Sequence, residues 1–297
     1  DADMYYLSRF LAGDRFDLLV AEKTTLLVSS MELGRARKES CAERCLSTSE
    51  FHLLDKLRSG KRPDEAYAQV LGEFLRRCSI KRLGGAYSFP AGIYRCLEQD
   101  FGIQILESPA AQKREIKSPV ELQAISVTQR ACERAMRRAI RLIAGSTVRG
   151  ERLYRQDEPL TSEAVGEAIE LSLIQDGCEA VDTIVAGGRQ AADPHARGTG
   201  PLAAHAPIVI DIFPRSRSSR YFADMTRTVL KGEASAEVLE LYRAVQMAQE
   251  AGLTAVREGA TGSEVHRQVS DKFQELGYAE REGSGFTHST GHGVGLE

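Results

Sequence analysis

Two aspartates carry the sharpest chemical signal in this chain of 297 residues. Asp211 interrupts the apolar run PIVIDIF at 207–213, and Asp224 lies in RYFADMTRTVL at 220–230. A buried, unpaired carboxylate costs on the order of several kcal/mol and would sooner take up a proton. A bound divalent cation removes that cost, and so does an ion pair with Arg220 or Arg227. On the aspartates alone the two readings weigh evenly. If 208–213 and 221–229 form a hairpin, side-chain alternation lets both carboxylates point to one face. Two oxygens from each then suffice to bridge a pair of cations.

His292 tips the balance. It stands in GHGVG at 291–295, where glycine lets backbone approach a ligand closely. Carboxylates with an imidazole suit manganese, iron, cobalt or zinc better than the all-oxygen shells of magnesium or calcium. His288 precedes His292 by four residues, and His195 lies in the loop ADPHARGTGP sixteen residues before Asp211. Either could touch a substrate or be a polar loop residue. His52, His205 and His266 receive no role. The glycine-rich AGGRQAADPHARGTGPL lacks the Lys-Ser/Thr ending of a phosphate loop and the strand-GxGxxG-helix order of a dinucleotide site.

Composition narrows the class. Apolar residues make up 42% and charged residues 27%, the profile of a globular chain without a membrane span. A formal charge of −3 gives no reason to expect nucleic acid. The arginines at 134, 137, 138 and 141 recur at helical spacing, as on a solvated helix face. The six cysteines are scattered without a CxxC and read as reduced thiols in a reducing, cytoplasmic compartment.

These residues need elements to hold them. FDLLVAEKTTLLVSS reads as a hairpin, PDEAYAQVLGEFLRRC as a helix and GIQILES as a strand ahead of a linker, PAAQKREIK. A capping box, Ser118 with Pro119 and Glu121, opens a helix with apolar positions at Leu122, Ile125, Cys132, Met136, Ala139 and Ile143. Thr161 caps a second helix that Gly177 ends. VDTIVAGG, PIVIDIF and RYFADMTRTVL read as strands, followed by helices starting near Ser235 and at the Thr261/Glu264 capping box. The expected division is an N-terminal domain over 1–114 and a catalytic domain over 115–297.

PH at 194–195, VIDIFP around Asp211, YFADMTRTV around Asp224 and THSTGHGVGLE at 287–297 together resemble the M24 metallopeptidases of the creatinase, prolidase and aminopeptidase P type. The resemblance runs from about 115 to 297 and is more diffuse before it. It implies an α+β "pita-bread" catalytic domain preceded by a smaller α/β domain whose first segment is missing here. It also implies two divalent metals, manganese first with cobalt or zinc as alternatives. Asp211, the bridging Asp224 and His292 match three of the five protein ligands. The other two, glutamates, are expected beyond Glu297, which itself is not counted as a ligand. His195 and His288 are implied as catalytic residues that stabilise the developing oxyanion and place the peptide. The implied reaction is hydrolysis of Xaa-Pro bonds at peptide N-termini by a metal-activated water, as aminopeptidase P or as a dipeptidase. Proline-containing peptides are the implied partners, and a homodimer the implied assembly. The alternative is a non-catalytic peptide-binding protein with the same fold. One departure stands out: twelve residues separate Asp211 from Asp224, which enlarges the PRSRSS turn and should leave the paired strands intact.

Overall fold

A computed structural model describes residues 2–279, 281 and 285–297. The chain divides into two compact units, Asp1–Lys117 and Ser118–Glu297.

In the first unit, Asp17–Leu19 and Thr25–Val28 form the expected antiparallel hairpin, and Arg44–Ser47 joins it in parallel. Arg82–Ala86 and Gly102–Leu106 form a separate parallel pair. The helix Pro63–Arg77 starts with proline, whose missing N–H costs nothing there, and buries Val70, Leu71, Phe74 and Leu75. The stretch expected as a linker contains a helix, Pro109–Glu115, with the Ser108 side chain accepting from the Ala110 amide. Its start repeats the Ser-Pro signal of Ser118–Pro119, but seven residues are too few to show an apolar rhythm.

One half-buried group in this unit works against stability. Desolvation raises the Asp17 carboxyl above its ordinary range, although Tyr67 Oη donates to it and Arg15, stacked 4.5 Å over the Tyr67 ring, opposes the shift. The folded state therefore holds this proton more tightly than the unfolded state. Stability falls as pH rises from the ordinary carboxylate range through the raised value. Asp17→Asn is expected to raise the thermal midpoint at neutral pH, with the gain vanishing below about pH 4, where both states carry the proton.

The second unit is built on the helix Pro119–Ala144. Its capping box is formed, with Ser118 Oγ and Glu121 satisfying each other's backbone donors. The helix Ser162–Gln175 packs beside it, capped by Thr161. A small meander missed in the sequence, Thr147–Arg149, Arg152–Arg155 and Glu158–Pro159, links the two. Against these helices lies a three-stranded antiparallel sheet in the order Ile184–Gly187, Pro207–Ile212, Met225–Leu230. Ile208, Ile210 and Ile212 are fully buried with Ala135, Ala139, Ile169 and Leu173. The alternate residues of that strand, including Asp211, are only half-buried. The sheet thus has a core face and an open face, and Asp211 belongs to the open one. Among the described residues the apolar run is a one-sided strand, with Asp211 on the face away from the helices. The last two helices, Ala236–Ala255 and Gly262–Glu275, start at Ser235 and at the Thr261/Glu264 capping box. No helix among the described residues is long and apolar enough to cross a membrane.

Candidate metal centre

Asp211 stands directly opposite Thr226, and the last ladder pair is Ile212 with Met225. Continued one step, that register sets Asp224 opposite residue 213. Asp224 therefore shares the face of Asp211 and lies diagonal to it, a separation of about 7 Å between Cα atoms in an antiparallel pair. Their mutual repulsion is felt: burial raises the Asp224 carboxyl, the Asp211 charge raises it further, and His292 opposes both. Thr226 Oγ1 donates to Asp211 Oδ1 at 2.5 Å. Neither arginine considered as an ion-pair partner reaches Asp211. Arg220 Nη1 binds Glu179 Oε1 at 3.1 Å, and Arg227 Nη1 donates to the Thr226 carbonyl at 2.7 Å.

Asp224 itself lies one residue ahead of its strand, which begins at Met225 rather than near 221. The enlarged turn explains this. Arg215–Ser216 leaves the hairpin to pair with Cys178–Glu179, and Arg215 and Arg220 both grip Glu179, whose carboxyl their hydrogen bonds hold below its ordinary range. The Asp211–Thr226 pairing is untouched. The short segment before Asp224 is pinned instead by tertiary bonds. Tyr221 Oη donates to the buried Glu121, Thr128 Oγ1 donates to the Tyr221 carbonyl, and the Asp224 amide reaches Gln129 Oε1 at 3.4 Å. The long helix thereby positions the carboxylate.

His292 comes to the same place because the Phe222 amide donates to the Gly295 carbonyl at 2.7 Å. His292 Nε2 then lies 3.3 Å from Asp224 Oδ2. The other ring nitrogen, Nδ1, is 2.9 Å from the Gly293 carbonyl. A carbonyl only accepts, so Nδ1 must donate, and in a neutral imidazole Nε2 then carries a lone pair facing a carboxylate. Two acceptors at that distance call for a positive charge between or upon them, either a proton or a cation. Three oxygen- and nitrogen-bearing groups on one open face, with one oxygen of Asp211 already fixed by Thr226, are a donor set that fits a divalent transition metal. The set is incomplete: among the described residues, no three ligand-type side chains close around a single point.

Cys132, whose Sγ donates to the Ile212 carbonyl at 3.3 Å, has its thiol pushed up to about 12 by burial and by the charges of Asp224 and Asp211.

The two other candidate histidines, His288 and His195, are not brought into this group. His288 lines an open concavity of about 280 Å³ with His266, Phe286, Thr287 and Ser289, its ring edge-on to Phe286 at 4.8 Å. His195 is exposed on the loop after Gly188–Ala192, its amide donating to Asp193 Oδ1 at 3.0 Å. That loop is held against the sheet by a close approach. At Gly198 a Cβ would fall 1.8 Å from the Val185 carbonyl oxygen, and φ is +81°. Gly198→Ala is expected to cost at least about 2 kcal/mol, from left-handed strain plus overpacking, read as a lower urea midpoint. Sequence reading missed Thr226, Gln129 and His266 because each acts through a tertiary contact. His205 is structural: its Nδ1 accepts from the Glu233 amide at 2.8 Å.

Comparison with known proteins gives the family. The profile of metallopeptidase family M24 matches residues 123–297. The chain belongs to metallopeptidase family M24. The family is one of hydrolases that use divalent metals, and its pita-bread fold is the α+β architecture of the second unit. The Xaa-Pro dipeptidase of Pyrococcus horikoshii is 27% identical over 299 residues, covering 99% of this chain and 75% of that protein. Among solved structures, the prolidase from Pyrococcus horikoshii OT3 superposes with a TM-score of 0.79 at 25% identity, covering 100% of this chain and 76% of that one. The X-Pro aminopeptidase from Thermotoga maritima MSB8 gives 0.76 at 25% identity, with the same coverage. This M24 chain thus spans about three quarters of the length of each.

Proposed function

We propose that this M24 protein hydrolyses Xaa-Pro bonds at peptide N-termini, with Asp211, Asp224 and His292 among the ligands of two divalent metals. The observation that carries the reading is His292 Nε2 facing Asp224 Oδ2 at 3.3 Å with Nδ1 committed to a carbonyl, beside a second carboxylate that has no ion-pair partner among the described residues. The names of the similar proteins, a dipeptidase, a prolidase and an aminopeptidase, support the Xaa-Pro specificity. A metal pair bound there supplies Lewis acidity and a water deprotonated near neutral pH. Manganese is the first candidate, with cobalt or zinc next.

The protein's own groups do the rest. Asp224 and Asp211 would hold the cations and offset their charge, and Thr226 fixes the orientation of Asp211. His288 and His195 are proposed to orient the peptide and donate to the carbonyl oxygen as charge develops on it. The Xaa-Pro bond has no amide N–H and a fixed φ, so a site that recognises a free N-terminus and a ring suits it. The six free thiols support a reducing, cytoplasmic location, and homodimer assembly belongs to the same proposal.

The test is to assay full-length protein with Mn, Co and Zn on Xaa-Pro dipeptides and on longer Xaa-Pro-initiated peptides. Metal-dependent release of the first residue is expected, and which length is cut separates dipeptidase from aminopeptidase. The alternative is a non-catalytic peptide-binding protein of the same fold. Peptide binding without turnover at saturating metal would establish that alternative instead.

A further inference from the structure

The segment 285–297 carries both His288 and His292 yet contains no helix and no strand. Glycines at 291, 293 and 295 leave the stretch around His292 few side chains with which to anchor itself. Each loosened backbone residue costs entropy again when a ligand must be held in place. Tethers to other elements lie on both sides of His292. One is the Gly295 carbonyl, held by the Phe222 amide. Another is Thr290, whose Oγ1 is 2.9 Å from His266 Nδ1 on the helix Gly262–Glu275.

His266 does more than make this bond. Its ring lies 5.5 Å from Phe286 at 32°, and Phe286 in turn stacks on Phe273 at 5.0 Å and meets the His288 ring edge-on. Its second nitrogen is 3.5 Å from Ser270 Oγ. The helix that carries it is fixed in turn by its capping box and by close packing on the helix Ala236–Ala255. There a Cβ at Gly252 would meet Val269 Cγ2 at 2.8 Å and the Thr290 methyl at 3.9 Å. A rigid helix pair thus presents one imidazole to a loop that lacks rigidity of its own.

We infer that His266 is a positioning residue: through Thr290 it holds the loop that presents His292 to Asp224. The inference rests on the proposed role of His292 as a metal ligand, but the tether itself is testable without metal. Asn at 266 offers a polar atom where Nδ1 now sits and preserves the bond to Thr290. Phe preserves the ring and loses the bond.

The experiment measures backbone 15N order parameters for residues 290–295 in metal-free full-length protein, then manganese affinity by calorimetry. His266→Phe and Thr290→Val are each expected to lower the order parameters from about 0.85 to below about 0.6. Each is also expected to weaken manganese binding about tenfold, the lower end for loss of an outer-shell partner, with thermal midpoints unchanged. His266→Asn should restore both values, which a merely structural defect would not allow. Unchanged order parameters in His266→Phe overturn the inference, as does a loosened loop with undiminished manganese affinity. If the wild-type protein takes up no manganese, the metal-ligand reading of His292 falls, and the order parameters alone decide the tether.

Discussion

Asp224→Ala is expected to abolish divalent-metal uptake while leaving the fold in place. The Asp224 side chain is wedged between burial, the charge of Asp211 and a single imidazole partner. Without metal it is a liability. Its carboxyl is raised, so the folded state binds the proton more tightly than the unfolded state. Stability is therefore lost as pH rises from the ordinary carboxylate range through the raised value. Removing the group relieves that loss at neutral pH, so the metal-free variant should melt no lower than the wild type. With metal the order reverses. A cation at a hundredfold excess over its Kd stabilises the wild type by about 2.7 kcal/mol and the variant not at all. Elemental analysis with parallel melting curves checks both halves. Undiminished stoichiometry in the variant would remove Asp224 from the ligand set.

Glu121→Ala should cost about 3 kcal/mol, the largest stability effect expected here outside the core. Glu121 is 5% exposed and accepts from the Ser118 amide at 2.8 Å, from Ser118 Oγ at 2.6 Å and from Tyr221 Oη at 2.7 Å. The variant loses a capping box, worth about 1 kcal/mol, and strips a buried phenol of an acceptor, a further 1–3 kcal/mol or so. Glu121→Gln keeps an acceptor and should lose less than half as much. Urea titration separates the two. Equal losses would mean that charge, rather than hydrogen bonding, holds this corner. Because Tyr221 stands three residues before Asp224, Glu121→Ala should also weaken metal binding.

Much of this was legible in the residues. The caps at Ser118, Thr161 and Thr261 announced their helices, because side-chain capping is a local event read within four positions. The pairing of Asp211 with the Asp224 region followed from strand alternation. What escaped depends on distant partners. The late start of the strand at Met225 is set by Glu179, which draws Arg215 and Arg220 out of the hairpin from 36 and 41 residues away. That Asp211 lies on the face away from the helices depends on how they pack on the sheet, which an apolar run of six residues does not reveal. His266 gains its place from Thr290, 24 residues on, in a loop with no periodicity to read.

The most direct measurement is anomalous scattering from a crystal of the full-length protein grown with manganese. The account predicts peaks within bonding distance of Asp211, of both oxygens of Asp224 and of His292 Nε2, displacing the direct approach of His292 to Asp224. A structure in which manganese saturates the protein elsewhere, with His292 still paired to Asp224 alone, would contradict it.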